Sequence, residues 1–240
     1  MAQQLPIPPN PPNSLRLWTL RRGQPVDPVS GLSRREDVFS SRIQAGGLLL
    51  SAAAVAVLMV QAAWSGQPRV IVGTAIYGAT LLMLYGTSAG YHAARRPKLK
   101  RVLLKLDHIS IYLLIAGTYT PLTLVTLNGG WGWSLFGVVW GLAGLGAIWK
   151  LFAAGRLPVL STVLYVVLGW VLLVGIVPLV QALPPTGVWL LVGGGVTYTV
   201  GAVVFLARRI PFNHAIWQGL VFTGAALHYS TILFFVVPHA

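Results

Sequence analysis

The chain contains no cysteine. Disulfides and a disulfide-linked partner are thereby excluded, and any metal site must use histidine, aspartate or neutral oxygen donors. Charge is also scarce. Only 9% of the 240 residues are charged, against 55% hydrophobic, whereas a soluble domain carries about a quarter charged residues. Carboxylates are the rarest charge, four against 17 lysines and arginines. Three of them, Asp27, Glu36 and Asp37, precede the first long apolar run, so Asp107 stands alone in the remainder. The first forty residues hold no apolar stretch of the kind a signal peptide needs. A formal net charge of +13 could point to nucleic acid, but its placement follows membrane topology instead. The expected partners are membrane lipids and not nucleic acid; oligomeric state is left open.

What remains is an all-α, polytopic membrane protein. Residues 1–35 are rich in proline and arginine and read as a disordered cytoplasmic tail. Residues 36–240 read as one transmembrane domain. A helix starting near Arg34-Arg35-Glu36-Asp37 is expected to lie along the membrane surface, its acids suiting a helix N-terminus. Seven apolar runs follow, near 43–64, 69–92, 106–127, 132–154, 158–182, 187–207 and 212–237, each long enough for a span of about 20 residues. Lysine and arginine alternate strictly between the connections. Sixteen fall in the tail and the even connections, and only Arg69 falls elsewhere. The positive-inside rule then predicts a seven-helix bundle with its N-terminus inside and its C-terminus outside. The expected location is the bacterial inner (plasma) membrane. Glycines within the spans (Gly86, Gly90, Gly137, Gly141, Gly193 to Gly195, Gly201) read as close-packing positions. Pro121, after Thr118-Tyr119-Thr120, should kink the third span. Trp64, Trp131, Trp133 and Trp189 fall at the expected outer ends, as an aromatic belt would.

That topology collects the polar residues. His92 ends the second span on the inner side, with Ser88 one turn deeper on the same face. Asp107 is expected to open the third span. His214 opens the seventh, with Gln218 one turn deeper. His228 shares the face of His214 but lies about 21 Å along the helix axis, too far to ligate the same ion. Two histidines and a carboxylate on facing helices suit zinc. Metal ligands are therefore sought among His92, His214 and Gln218, and catalytic roles at Asp107 and Ser88. Each residue also has a plain reading: Asp107 as a helix cap, the histidines as interfacial side chains, Ser88 bonded to its own helix. Their common depth favours a site. His108 should point away from it, and His239 is terminal.

Ser88-xxx-His92, Leu106-Asp107-His108, Thr118-Tyr119-Thr120-Pro121, His214-Ala215-Ile216-Trp217 and His228, in that order, resemble the hemolysin III family. These are bacterial relatives of the progestin and adipoQ receptors, adiponectin receptors among them. The resemblance runs from about Glu36 to His228. It implies a seven-helix bundle with a cytoplasmic N-terminus and a zinc ion near the cytoplasmic leaflet. By that pattern His92 and His214 match metal ligands, Asp107 matches the residue that holds the water, and Ser88 matches the family serine. The eukaryotic relatives are associated with ceramide hydrolysis. Bacterial members are linked to membrane homeostasis and, by name, to hemolysis. The chain departs from the pattern at Gln218, where the family has a second helix-seven histidine, and at Ser40 and Gln44, where it has asparagine and histidine. An amide is a poorer zinc donor than imidazole, so the implied zinc is weakly held, or Asp107 becomes a direct ligand, or the metal is lost.

Three functions compete on this sequence. One is an intramembrane zinc-dependent hydrolase of a lipid amide or ester, ceramidase-like. The second is a non-enzymatic membrane sensor or homeostasis protein whose polar cluster fixes helix packing. The third, a hemolysin-like pore, lacks a ladder of charges through any span.

Overall fold

The computed structural model describes residues 27–238 except 208 and 211. His239 lies outside the described residues, as does the tail reading over 1–26. Seven helical segments are long and apolar enough to cross a membrane. The first, α1, runs from Arg34 to Ser65 as one helix of 32 residues. It begins nine residues before the apolar run because Ser33 and Glu36 form a capping box. Glu36 N–H donates to Ser33 Oγ at 3.3 Å, and Ser33 N–H donates to the Glu36 carboxylate at 2.9 Å, satisfying two otherwise orphaned amides. The acidic segment is therefore the first turn of the spanning helix and not a separate surface helix. Ahead of it, residues 27–33 turn back on themselves: Asp27 Oδ1 accepts from the amides of Val29 and Ser30, and Leu32 is buried.

Helix α2 spans Pro68–Ala93 and α3 spans Pro97–Pro121, each with proline in its first turn, where the missing N–H costs nothing. Asp107 therefore sits ten residues inside α3 and does not open it. Pro121 is followed by a π-helical turn, Leu122–Leu127, and Thr123 Oγ1 donates to the carbonyl of Tyr119 at 2.9 Å. Helix α4 spans Gly129–Ala153. The fifth span is broken: α5, Pro158–Gly169, leads through a 3₁₀ turn, Val171–Gly175, into α6, Ile176–Ala182. Tyr119 closes that break from α3. Its hydroxyl donates to the Gly169 carbonyl at 2.7 Å and accepts from Leu172 N–H at 2.8 Å. Interrupted helices persist at membrane depth only where such partners exist. Helices α7, Pro185–Leu206, and α8, Asn213–Thr231, complete the bundle, with a second π-helical turn at Ile232–Val236.

Sequential helices pack side by side, and α1 meets α8 to close the ring. The short connections impose this antiparallel order. Gly194 of α7 gives up its side chain to the ring of His228 on α8, and Gly201 does the same for Trp217. Gly137 and Gly141 face nothing within 4 Å of a would-be Cβ, so packing does not explain them. Trp64, Trp131, Trp133 and Trp189 are all exposed at helix ends on the face of the bundle opposite His92.

Candidate functional site

The last turn of α2 and the first two turns of α8 meet at three side chains. His92 Nε2 lies 3.1 Å from His214 Nε2, and Gln218 Nε2 lies 3.1 Å from each of them. Residues 214 and 218 are one turn apart, so α8 aims both at His92. His92 and Gln218 are buried. The other nitrogen of His92, Nδ1, lies 2.9 Å from Asp37 Oδ1. A carboxylate can only accept here, so Nδ1 carries the proton and Nε2 presents its lone pair to the triad; this tautomer is assigned from the network. Gln218 Oε1 is buried without a hydrogen-bond partner. A half-turn of the amide would exchange its oxygen and nitrogen, an assignment set by the network and not by atom positions.

Asp37 is the residue that sequence reasoning missed. Besides His92 it holds Lys100 of α3, whose Nζ lies 2.6 Å from Asp37 Oδ2, and Ser30, whose hydroxyl donates to the same oxygen at 2.9 Å. Lys100 also reaches Asp27 Oδ2 at 3.2 Å and lies over the Tyr91 ring. The network thus joins α1, α2, α3 and the turn before α1 behind one imidazole. Lys100 is 2% exposed and Asp37 6%. Burying either charge alone would cost several kcal/mol, so the pair fixes both. A signal was present: Asp37, Ser40 and Gln44 share one helical face, and Ser33-Arg34-Arg35-Glu36 marks the helix start.

Ser88 and Asp107 line a cavity with His214 and Gln218. Neither hydrogen-bonds to the triad. Asp107 Oδ2 stands 4.0 Å from His108 Nδ1, which instead bonds the Leu104 carbonyl at 2.8 Å. His108 also lines the cavity and so does not point away from it. The cavity measures about 1340 Å³ including its open mouth, and its walls are mostly apolar. It extends to His228, whose Nε2 bonds the Leu191 carbonyl at 3.2 Å. His228 takes no part in the triad.

Residues 33–229 match the family model described as Haemolysin-III related. The chain belongs to the haemolysin-III-related family. It is 40% identical over 206 residues to Hemolysin-3 of Bacillus cereus, covering 86% of this chain and 94% of that one. It is 38% identical over 203 residues to the Hemolysin-3 homolog of Bacillus subtilis (strain 168), covering 85% and 95%. A more distant relative is the human Monocyte to macrophage differentiation factor, a progestin and adipoQ receptor family member, 28% identical over 164 residues, covering 65% and 67%. The chain is thus an integral membrane protein of the haemolysin III type.

The zinc that the haemolysin III resemblance implies can be tested against the triad. Around a tetrahedral zinc with bonds of about 2.0–2.1 Å, neighbouring donor atoms stand about 3.3 Å apart. The three triad distances are 3.1 Å. The Asp37–His92 pair has the carboxylate–histidine form that orients metal-bound imidazoles. Among the described residues no three histidine, aspartate or glutamate side chains gather at one point. Gln218 would serve as a third donor only through its amide oxygen, which a half-turn of the amide would bring to the position of Nε2. The donor set fits a weakly held ion. At the two other departures from the pattern, Ser40 Oγ and Gln44 Oε1 are buried without hydrogen-bond partners.

Proposed function

We propose that this haemolysin III protein is a metal-dependent hydrolase of a lipid amide or ester, with its site in the inner leaflet. The observation that carries the reading is the 3.1 Å triangle of His92, His214 and Gln218 beside the apolar cavity. His92 and His214 would hold zinc through Nε2, with Gln218 Oε1 as a third, weaker donor. Bound there, zinc would supply Lewis acidity and lower the pKa of a coordinated water. Asp37 fixes the ring and tautomer of His92, and Lys100 fixes Asp37. Asp107, the one carboxylate of the cavity wall among the described residues, would take a proton from an attacking water. Ser88, one turn deeper than His92 on the cavity wall, would hold the carbonyl of the lipid. The apolar wall accepts the hydrocarbon chain and keeps bulk water from the scissile bond.

A second reading is that of a non-enzymatic membrane-homeostasis protein. It is favoured by the mutual hydrogen-bond distances within the triad, which join α2 to α8 without an ion. Purified protein in lipid vesicles separates the two. Long-chain lipid amides should be cleaved with zinc present, and that cleavage should vanish on chelation and in His214→Ala. Cleavage that survives both would remove the metal from the mechanism. No cleavage by a protein shown to carry zinc would favour the homeostasis reading. A pore reading gains nothing from the charges of the spans.

A further inference from the structure

Lys150 and Ser161 form a polar pair that the proposed metal chemistry does not use. Lys150 lies near the end of α4 and Ser161 in the first turn of α5, across the short connection 154–157. Lys150 Nζ is in direct hydrogen-bond contact with Ser161 Oγ. The lysine is 1% exposed and the serine 3%. No carboxylate of the described residues stands within ion-pair distance of Lys150; its other neighbour is the ring of Trp149, 4.6 Å from Nζ. A long basic side chain at a helix end normally reaches for the headgroups, and this one turns inward. A buried lysine amine without a counter-charge is the setting in which lysine serves as a general base. The two residues are also placed unequally. Ser161 lines the apolar cavity, with Tyr165 one turn along, whereas Lys150 stands behind it. An anion in the cavity would meet the hydroxyl before the amine, so the arrangement presents a nucleophile and not a cation.

We propose that Ser161 and Lys150 are a second reactive site on the cavity wall, a serine nucleophile with a lysine base, acting on a fatty-acyl ester. With Lys150 as the free amine, the Ser161 hydroxyl turns from the Leu157 carbonyl, to which it now donates at 3.0 Å, toward Nζ. Oγ attacks the ester carbonyl carbon and its proton passes to Lys150. The attack leaves a tetrahedral adduct on Ser161 Oγ. The adduct expels the alcohol, which takes the proton back from Lys150, and leaves an acyl ester on Ser161. Water, deprotonated by Lys150, then attacks that ester, releasing the fatty acid and restoring the hydroxyl. The pairing is that of the serine–lysine variants of the catalytic triad and needs no metal.

The test is a long-chain alkyl fluorophosphonate added to the full chain in detergent and in vesicles, with the modified residue located by mass spectrometry. The expected result is an adduct on Ser161 in the wild-type protein, formed equally well with and without chelator and absent in Ser161→Ala. Lys150→Met and Lys150→Arg should each slow it by about a hundredfold or more, the usual contribution of a general base. Cooperative melting of each lysine variant, measured beside the wild type, separates loss of the base from loss of structure. Wild-type protein that melts cooperatively yet carries no adduct on Ser161 would overturn the proposal. So would an adduct that forms at the wild-type rate in either lysine variant, or one lost on chelation.

Discussion

Replacing Gln218 by histidine should convert a weak metal site into a tight one. Gln218 is 2% exposed and already directs its terminal nitrogen at both histidines from 3.1 Å. Histidine at 218 would stand one turn from His214 and aim its imidazole at the same point. Three imidazoles would then surround the ion, the donor set of many zinc sites with an open position. Changing a group that merely supports a ligand alters metal affinity by about 10- to 100-fold. Exchanging a ligand itself should exceed the upper end, so the gain should be at least about a hundredfold, or about 2.7 kcal/mol. The same change removes the buried, unpartnered Gln218 Oε1, whose isolation costs about 1–3 kcal/mol, so the variant should not be less stable. The assay is competition for zinc against a chromophoric chelator, with wild type and Gln218→His in one detergent. His214→Ala in the Gln218→His background should abolish the gain. Equal affinity of the two proteins would mean that residue 218 is not a ligand and that the ion binds elsewhere.

Asp37→Asn should weaken zinc binding by about 10- to 100-fold through the loss of His92 orientation. It should also destabilise the fold, by less than the about 3–5 kcal/mol of an unpaired buried charge, because Lys100 loses Asp37 but keeps Asp27 Oδ2 at 3.2 Å, and both effects can be read by chelator competition and thermal unfolding. Gly194→Ala should lower the melting temperature, since the added methyl meets the His228 ring and overpacking costs about 1–3 kcal/mol. Gly137→Ala, where a Cβ meets nothing, should not. Because the chain lacks cysteine, single cysteines report topology without background. Arg96→Cys should be shielded from an impermeant maleimide on intact cells and Gln67→Cys labelled; the reverse pattern would invert the orientation.

The spans could be read from apolar run length, because a lipid-facing helix must be apolar along its whole length. Helix ends could not, because beyond the lipid they are set by local chemistry. Ser33 with Glu36, and Pro97 in the first turn of α3, start two helices well before their apolar runs. The second shift alters the reading of Asp107, which is a wall residue within a helix and not a cap. The approach of His92, His214 and Gln218 was legible because helical spacing and common depth constrain it. The Asp37–Lys100 pair was not. Lys100 is one of six basic residues between Ala93 and Lys105, and nothing local distinguishes a buried lysine from five that mark topology. The break after Gly169 was equally hidden, since the hydroxyl that sustains it comes from Tyr119, fifty residues earlier.

In the proposed site His92 and His214 would hold one zinc ion together. Calorimetric titration of metal-stripped protein with zinc, on wild type, His92→Ala and His214→Ala, measures this. One ion should bind weakly per wild-type chain, and none should bind either histidine variant. Wild-type protein that takes up no zinc, or variants that bind it unchanged, would contradict it.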